Sequence, residues 1–98
     1  MKKLIRDKYE GQFDIQTKID TKSEEYFGYL LAKLEEELDE LKESDYNDVY
    51  EFADVIEVLF SIGKFKGLEM SKILQMTLEK RMKKGSFDKG ILWEKEQQ

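Results

Sequence analysis

Glu36-Glu37-Leu38-Asp39-Glu40 and, eleven residues on, Glu51-Phe52-Ala53-Asp54 decide how this chain is read. Both stretches lie in segments of helical period. From about Glu25 to Glu43, Phe27, Leu30, Leu31, Leu34, Leu38 and Leu41 recur at i, i+3, i+4 and i+7. With Leu34 at zero on a helical wheel, the other five fall within about 60° of it. Glu37 falls at about −60° and Glu40 at about −120°, with Glu36 further round on the same flank. The three form one acidic arc whose inner edge touches the apolar stripe. Alone, such an arc is what a solvated helix face looks like.

The second segment, from about Asp48 to Lys64, changes that weighing. With Ile56 at zero, Val49, Phe52, Ala53, Leu59, Phe60 and Gly63 form a main apolar face, expected against the first helix. A second row, Val55, Val58 and Ile62, lies on the other side, so the helix is nearly apolar all round and should be buried. Glu51 continues that second row one turn N-terminally, and Asp54 follows three residues later. Carboxylates on a buried helix are costly unless they are paired or bound to a cation. Lys33 and Arg81 are candidate partners. Otherwise, two i, i+3 pairs on adjacent antiparallel helices set four carboxylates at one level, where they repel and raise one another's pKa values. A divalent cation removes the conflict, and Mg²⁺ keeps waters that a substrate phosphate can replace. The expectation is a Mg²⁺ or Mn²⁺ site open to a phosphorylated ligand.

Composition narrows the chemistry. The 98 residues allow one domain, 1–98, and 17 Lys and Arg against 22 Asp and Glu give a net charge of −5. An acidic chain is a poor binder of nucleic acid or of anionic membrane. There is no Cys and no His, which excludes disulfides, thiolate or imidazole metal sites and nucleophile–His pairs. Any metal must be a hard cation held by oxygens. No apolar run approaches the ~20 residues of a membrane helix, and no apolar stretch follows the charges of Met1-Lys2-Lys3. The expectation is a cytoplasmic protein with no membrane partner. A chain this short buries only roughly 60–65% of its unfolded surface, so oligomerisation would add stability.

The rest of the chain completes an all-α reading. Residues 1–24 read as an irregular arm, with Thr21 or Ser23 starting the first helix. Asn47 or Asp45 is expected to cap the second helix, which ends near Gly63 or Gly67. A third helix is expected from about Met70 to Lys83, stopped by Gly85. The tail from Ser86 to Gln98 carries Phe87, Ile91, Leu92 and Trp93 and is expected to pack back on the body. The result is a helical hairpin plus a third helix, with irregular arms at both ends. The Val55, Val58, Ile62 row is left for the third helix or for a second chain. A second chain would make a four-helix core in a homodimer, or in a dimer of dimers.

The two acidic stretches also carry a family resemblance. Glu36-Glu37-Leu38-Asp39-Glu40 with Glu51-Phe52-Ala53-Asp54 resembles the E-E-x-x-E … E-x-x-D signature of the MazG-like all-α nucleoside triphosphate pyrophosphohydrolases. Lys3-Leu4-Ile5-Arg6-Asp7-Lys8 and Gly85-Ser86-Phe87-Asp88-Lys89-Gly90-Ile91-Leu92 resemble the opening and closing segments of the phosphoribosyl-ATP pyrophosphohydrolase-like branch. The chain departs from that branch after Lys8, where Tyr9-Glu10-Gly11-Gln12 stands in place of a Pro and a longer apolar helix. The resemblance implies a helical-bundle enzyme that cleaves a nucleotide between its α and β phosphates. It implies Glu37, Glu40, Glu51 and Asp54 as metal ligands, and Glu36 as a further ligand or a base that orients water.

Phosphate contacts would fall to Lys33, to the cluster of Lys80, Arg81, Lys83 and Lys84, and to Arg6 and Lys8 of the family-like opening. That cluster equally suits the negative end of a helix dipole, and Arg6 equally suits a salt bridge to Asp7 or another acid. Phe87, Trp93, Tyr26 and Tyr29 are available to stack on a base, although aromatics at such positions commonly serve packing alone. Two other classes compete with the enzyme. One is a non-catalytic helical module that binds nucleotide or protein; the other is a coiled-coil adaptor, which the short heptad run disfavours.

Overall fold

The computed structural model describes residues 2–95 and is helical throughout its regular elements. They are a single 3₁₀ turn, Asp7–Tyr9, and three α-helices: α1, Glu24–Glu43; α2, Val49–Phe65; and α3, Met70–Lys84. Local chemistry sets the boundaries. The Tyr26 N–H donates to Ser23 Oγ at 3.1 Å, and Glu24 and Glu25 fill the first turn of α1, where the helix dipole favours negative charge. Asp48, rather than Asn47 or Asp45, caps α2 by accepting the Tyr50 N–H at 2.9 Å. Asp45 and Tyr46 instead reverse the chain, with φ of 56° and 57°, a left-handed pair closed by the Tyr46 N–H on the Leu41 carbonyl at 3.1 Å. Gly67, at φ 82°, does the same work after α2, and the Leu68 N–H meets the Gly63 carbonyl at 2.8 Å.

α1 and α2 pack as a hairpin around Leu30, Leu41 and Val58, with Phe27 stacked on Phe65 at a ring separation of 4.8 Å where the helices diverge from the loop. The Lys66 ammonium lies 4.6 Å over the Phe27 ring and closes that end. α2 presents the opposite face from the one expected. The row that meets α1 is Glu51, Val55, Val58 and Ile62, whereas Phe52, Ile56 and Leu59 are almost half exposed. Both rows of α2 are apolar, so spacing alone does not choose between them; the row that packs carries the buried Val58 and continues into Glu51 one turn N-terminally. Helical geometry then gathers the exposed rows, Leu31 with Leu38 and Phe52 with Ile56 and Leu59, on one flank of the hairpin. Glu36, Glu40 and Asp54 lie on the other.

α3 touches the hairpin at one point. Gly63 is buried, and a Cβ there would stand 2.5 Å from Ile73 Cδ1. Past that crossing, Leu74, Leu78 and Met82 face outward. The tail does not pack back. Phe87 is 97% exposed, and Ile91, Leu92 and Trp93 are nearly as open. The segment leaves α3 at Gly85 in a left-handed conformation (φ 80°) and makes no hydrogen bond to the hairpin among the described residues. Among the described residues no helix is long and apolar enough to cross a membrane. The radius of gyration is 17.2 Å, against about 13 Å for a compact chain of this length. The exposed area is 9409 Å², against about 5,900 Å² for a compact monomer of 11.7 kDa.

Gly63→Ala should be nearly neutral, because its gain in helix propensity of about 1 kcal/mol offsets the displacement of one mobile methyl of Ile73. Gly63→Leu should cost about 1–3 kcal/mol by prising α3 from α2, as read from urea unfolding.

Candidate metal centre

Glu37 and Glu40 stand one turn apart on α1, and Glu51 and Asp54 one turn apart on α2. The antiparallel register of the hairpin brings the two pairs level near the loop end. Oxygens of Glu36, Glu37 and Glu40 all lie within 4.8 Å of one another, and so do oxygens of Glu37, Glu51 and Asp54. Glu37 belongs to both sets and is the centre of the cluster. Its side chain is 8% exposed.

Three cations reach these five carboxylates among the described residues. Lys33 Nζ lies 3.5 Å from both Glu36 and Glu37. The other two come from the N-terminal arm: Lys3 Nζ on Glu36 at 2.8 Å, and Arg6 Nη2 on Asp54 Oδ1 at 2.5 Å. Five negative charges against three positive leave two uncompensated. The deficit has a location, for Glu37 Oε2 and Glu51 Oε2 are both buried without a hydrogen-bond partner. Leaving such oxygens unmet is expensive, and native structures rarely do so.

The electrostatics follow this arrangement. Burial, and after it the hydrogen bond and charge of Glu40, push the Glu37 carboxyl up to about 7. Glu51 is also raised, by desolvation first and then by the charges of Glu40, Asp54 and Asp48. Glu36 moves the other way, held below the ordinary carboxylate range chiefly by its hydrogen bond from Lys3. Lys3 is raised in turn by Glu36. One flank therefore holds a carboxylate kept ionised by a cation beside a buried one short of a cation.

A divalent ion fits the donor set. The atoms are hard oxygens, two of them are orphaned, and the missing charge is that of one such ion. Of the four ligands the resemblance implies, Glu37, Glu51 and Asp54 form one set able to hold it, while Glu40 falls with Glu36 in the second set, which shares only Glu37.

The remaining candidates are spread more widely. Arg6 pairs with Asp54 and not with its neighbour Asp7. Neither Lys33 nor Arg81 pairs with the α2 acids among the described residues: Lys33 pairs with Glu36 and Glu37 on its own helix, and Asp54 takes Arg6. Lys80, Arg81 and Lys84 are exposed on α3 and make no ion pair or hydrogen bond with the cluster among the described residues. Tyr26 packs against Phe65 at 6.1 Å, while Phe87 and Trp93 stand open on the tail. Sequence reasoning missed Lys3. Its signal was the spacing from Arg6, three residues along an arm that runs past the acidic flank. Comparison of the chain with protein-family models, curated proteins and solved structures finds no significant match.

Glu37 gives a pH test. Its native pKa of about 7 exceeds the unfolded value of about 4.3, so between these values the native state binds the extra proton. The stabilisation is complete below about pH 4.3 and is lost as pH rises through about 7. In chelator, the difference in unfolding free energy between wild type and Glu37→Gln should shift by about 1–3 kcal/mol against the wild type from pH 5 to pH 8.

Proposed function

We propose that this protein is a metal-dependent nucleotide pyrophosphohydrolase, cleaving a nucleoside triphosphate or related nucleotide to a monophosphate and pyrophosphate. The observation that carries the reading is the layer of five carboxylates with two buried oxygens unmet, on a hairpin whose acidic segments match the resemblance described above. A bound Mg²⁺ or Mn²⁺ would lower the pKa of a coordinated water and offset charge developing on the phosphates.

The chain's own residues supply the rest. Glu37, Glu40, Glu51 and Asp54 would hold the ion. Glu36, kept ionised by Lys3 and Lys33, accepts a hydrogen bond from water and orients it toward the α phosphorus. The new bond joins the water oxygen to that phosphorus. The bond that breaks runs to the oxygen bridging to the β phosphorus, so pyrophosphate departs and the water's proton passes to the carboxylate or to solvent. Lys33, anchored between Glu36 and Glu37, meets charge at the phosphates, and Arg6 is the nearest guanidinium.

We further propose that the protein works as a homodimer. The exposed area exceeds that of a compact monomer by about 3,500 Å², ample for one copy's share of an obligate interface of about 2,000–5,000 Å² in total. Phe52, Ile56 and Leu59 with Leu31 and Leu38 form the apolar flank such a partner would cover. A second copy seated there would put further α-helices beside the hairpin.

Purified protein with Mg²⁺ or Mn²⁺ should release pyrophosphate from at least one member of a panel of ribo- and deoxynucleoside triphosphates. Glu37→Gln and Glu51→Gln should each lower kcat at least about 100-fold while remaining folded. Folded, Mn²⁺-binding protein that releases no pyrophosphate across the panel would leave a nucleotide-binding module in place of an enzyme. In multi-angle light scattering the wild type should have twice the mass of an Ile56→Glu, Leu59→Glu variant; a wild-type monomer at micromolar concentration would overturn the dimer.

A further inference from the structure

The N-terminal arm enters the fold with its two cations on the acidic flank. Lys3 reaches across 33 residues to Glu36 and Arg6 across 48 to Asp54, and these are the arm's ion pairs to the hairpin among the described residues. Leu4 and Ile5 between them are half-buried. The remainder of the arm is held by its own contacts. The Tyr9 N–H meets the Arg6 carbonyl at 2.9 Å, Tyr9 stands edge-on to Phe13, and Lys18 bridges Glu10 at 2.6 Å. The arm is thus a locally organised piece, fastened to the hairpin by two half-exposed ion pairs and one short apolar contact. Exposed ion pairs are weak fastenings.

Its place matters because Asp54 belongs to the carboxylate set that also holds the orphaned oxygen of Glu51. A guanidinium on Asp54 and a divalent ion among Glu37, Glu51 and Asp54 draw on the same carboxylate and repel each other across it. We infer that the N-terminal arm is an intramolecular counter-ion for the empty centre: Arg6, supported by Lys3, occupies the acidic flank until a divalent cation binds and displaces it from Asp54. The inference rests on the metal centre proposed above. Coupling of this kind is reciprocal. Whatever factor the docked arm takes from cation affinity, the cation takes from arm docking. The displaced guanidinium is then free to make a forked contact with phosphate oxygens, exchanging a carboxylate for an anionic ligand at the same mouth. The arm would in this way open the centre in step with its loading.

Calorimetric titration of Mn²⁺, without nucleotide, tests the exchange on the full chain. Arg6→Gln should bind Mn²⁺ at least about fivefold more tightly than wild type. Lys8→Gln removes the same charge from an exposed arm residue with no ion pair among the described residues, and should change affinity less than twofold. Hydrogen exchange across residues 2–9 supplies a readout independent of affinity. Saturating Mn²⁺ should speed it in the wild type, and Arg6→Gln should show the faster rate without metal. Weaker Mn²⁺ binding by Arg6→Gln would make Arg6 a support that orients Asp54 and would overturn the displacement, leaving the metal centre intact. Unchanged exchange on saturation would overturn it equally. A wild type that binds no Mn²⁺ would remove the centre and the arm's role together.

Discussion

The structure depends on keeping the Glu37 carboxylate inside a hairpin that lacks the charge to neutralise it. Everything nearby answers that constraint. Lys33 approaches one oxygen from the preceding turn, and the other oxygen meets nothing. Glu40 crowds it and raises the proton affinity of both Glu37 and Glu51. A hairpin built only to fold would place leucine at position 37, since an apolar side chain in that seam would remove the repulsion and improve packing. The buried acid at the seam and the two orphaned oxygens beside it are the observations on which the proposed metal centre rests.

Much of this was legible in the sequence, and the reasons differ from place to place. The bounds of α1 and α3 follow from apolar spacing and from Ser23 and Gly85, because caps and left-handed stops are local chemistry. The cap of α2 was misread because Asp45, Asn47 and Asp48 are equivalent as residue types; only the backbone shows that Asp45 sits in the left-handed reversal. The face of α2 was inverted for a different reason. Its two rows are both apolar, and the longer one looked like the core. The row that packs is the one carrying Val55, Val58 and Ile62, and apolar spacing does not separate it from the other. The carboxylate layer could be foreseen because i, i+3 spacing fixes each pair on its helix. The partners Lys3 and Arg6 could not be assigned, because their reach spans 33 and 48 residues with no periodic signal between.

The two flanks of the hairpin divide its tasks. One is acidic, paired with Lys3 and Arg6 of the arm, and among the described residues holds every group with an altered proton affinity apart from the remote Lys18. The other is apolar and bare. α3 and the tail, open along most of their length, extend that bareness beyond what a lone chain of this size ordinarily leaves uncovered. The proposed chemistry and the proposed assembly would therefore use opposite sides of the same two helices, so a change made to strengthen association need not touch the carboxylates.

The stack of Phe27 on Phe65 has a bearing on how the chain can change length. It pins the register at one end of the hairpin, and the carboxylate layer lies about 15 Å away along α1. One residue inserted between Phe27 and Glu37 would swing the acids by about 100° and carry them out of the seam, while the aromatic pair held its place. The arms, the 44–48 loop and the tail carry no such phase relation. Over evolutionary time, insertions and deletions should therefore accumulate at the ends and the loop, and the ten-residue interval from Phe27 to Glu37 should stay constant in length even where its residues drift.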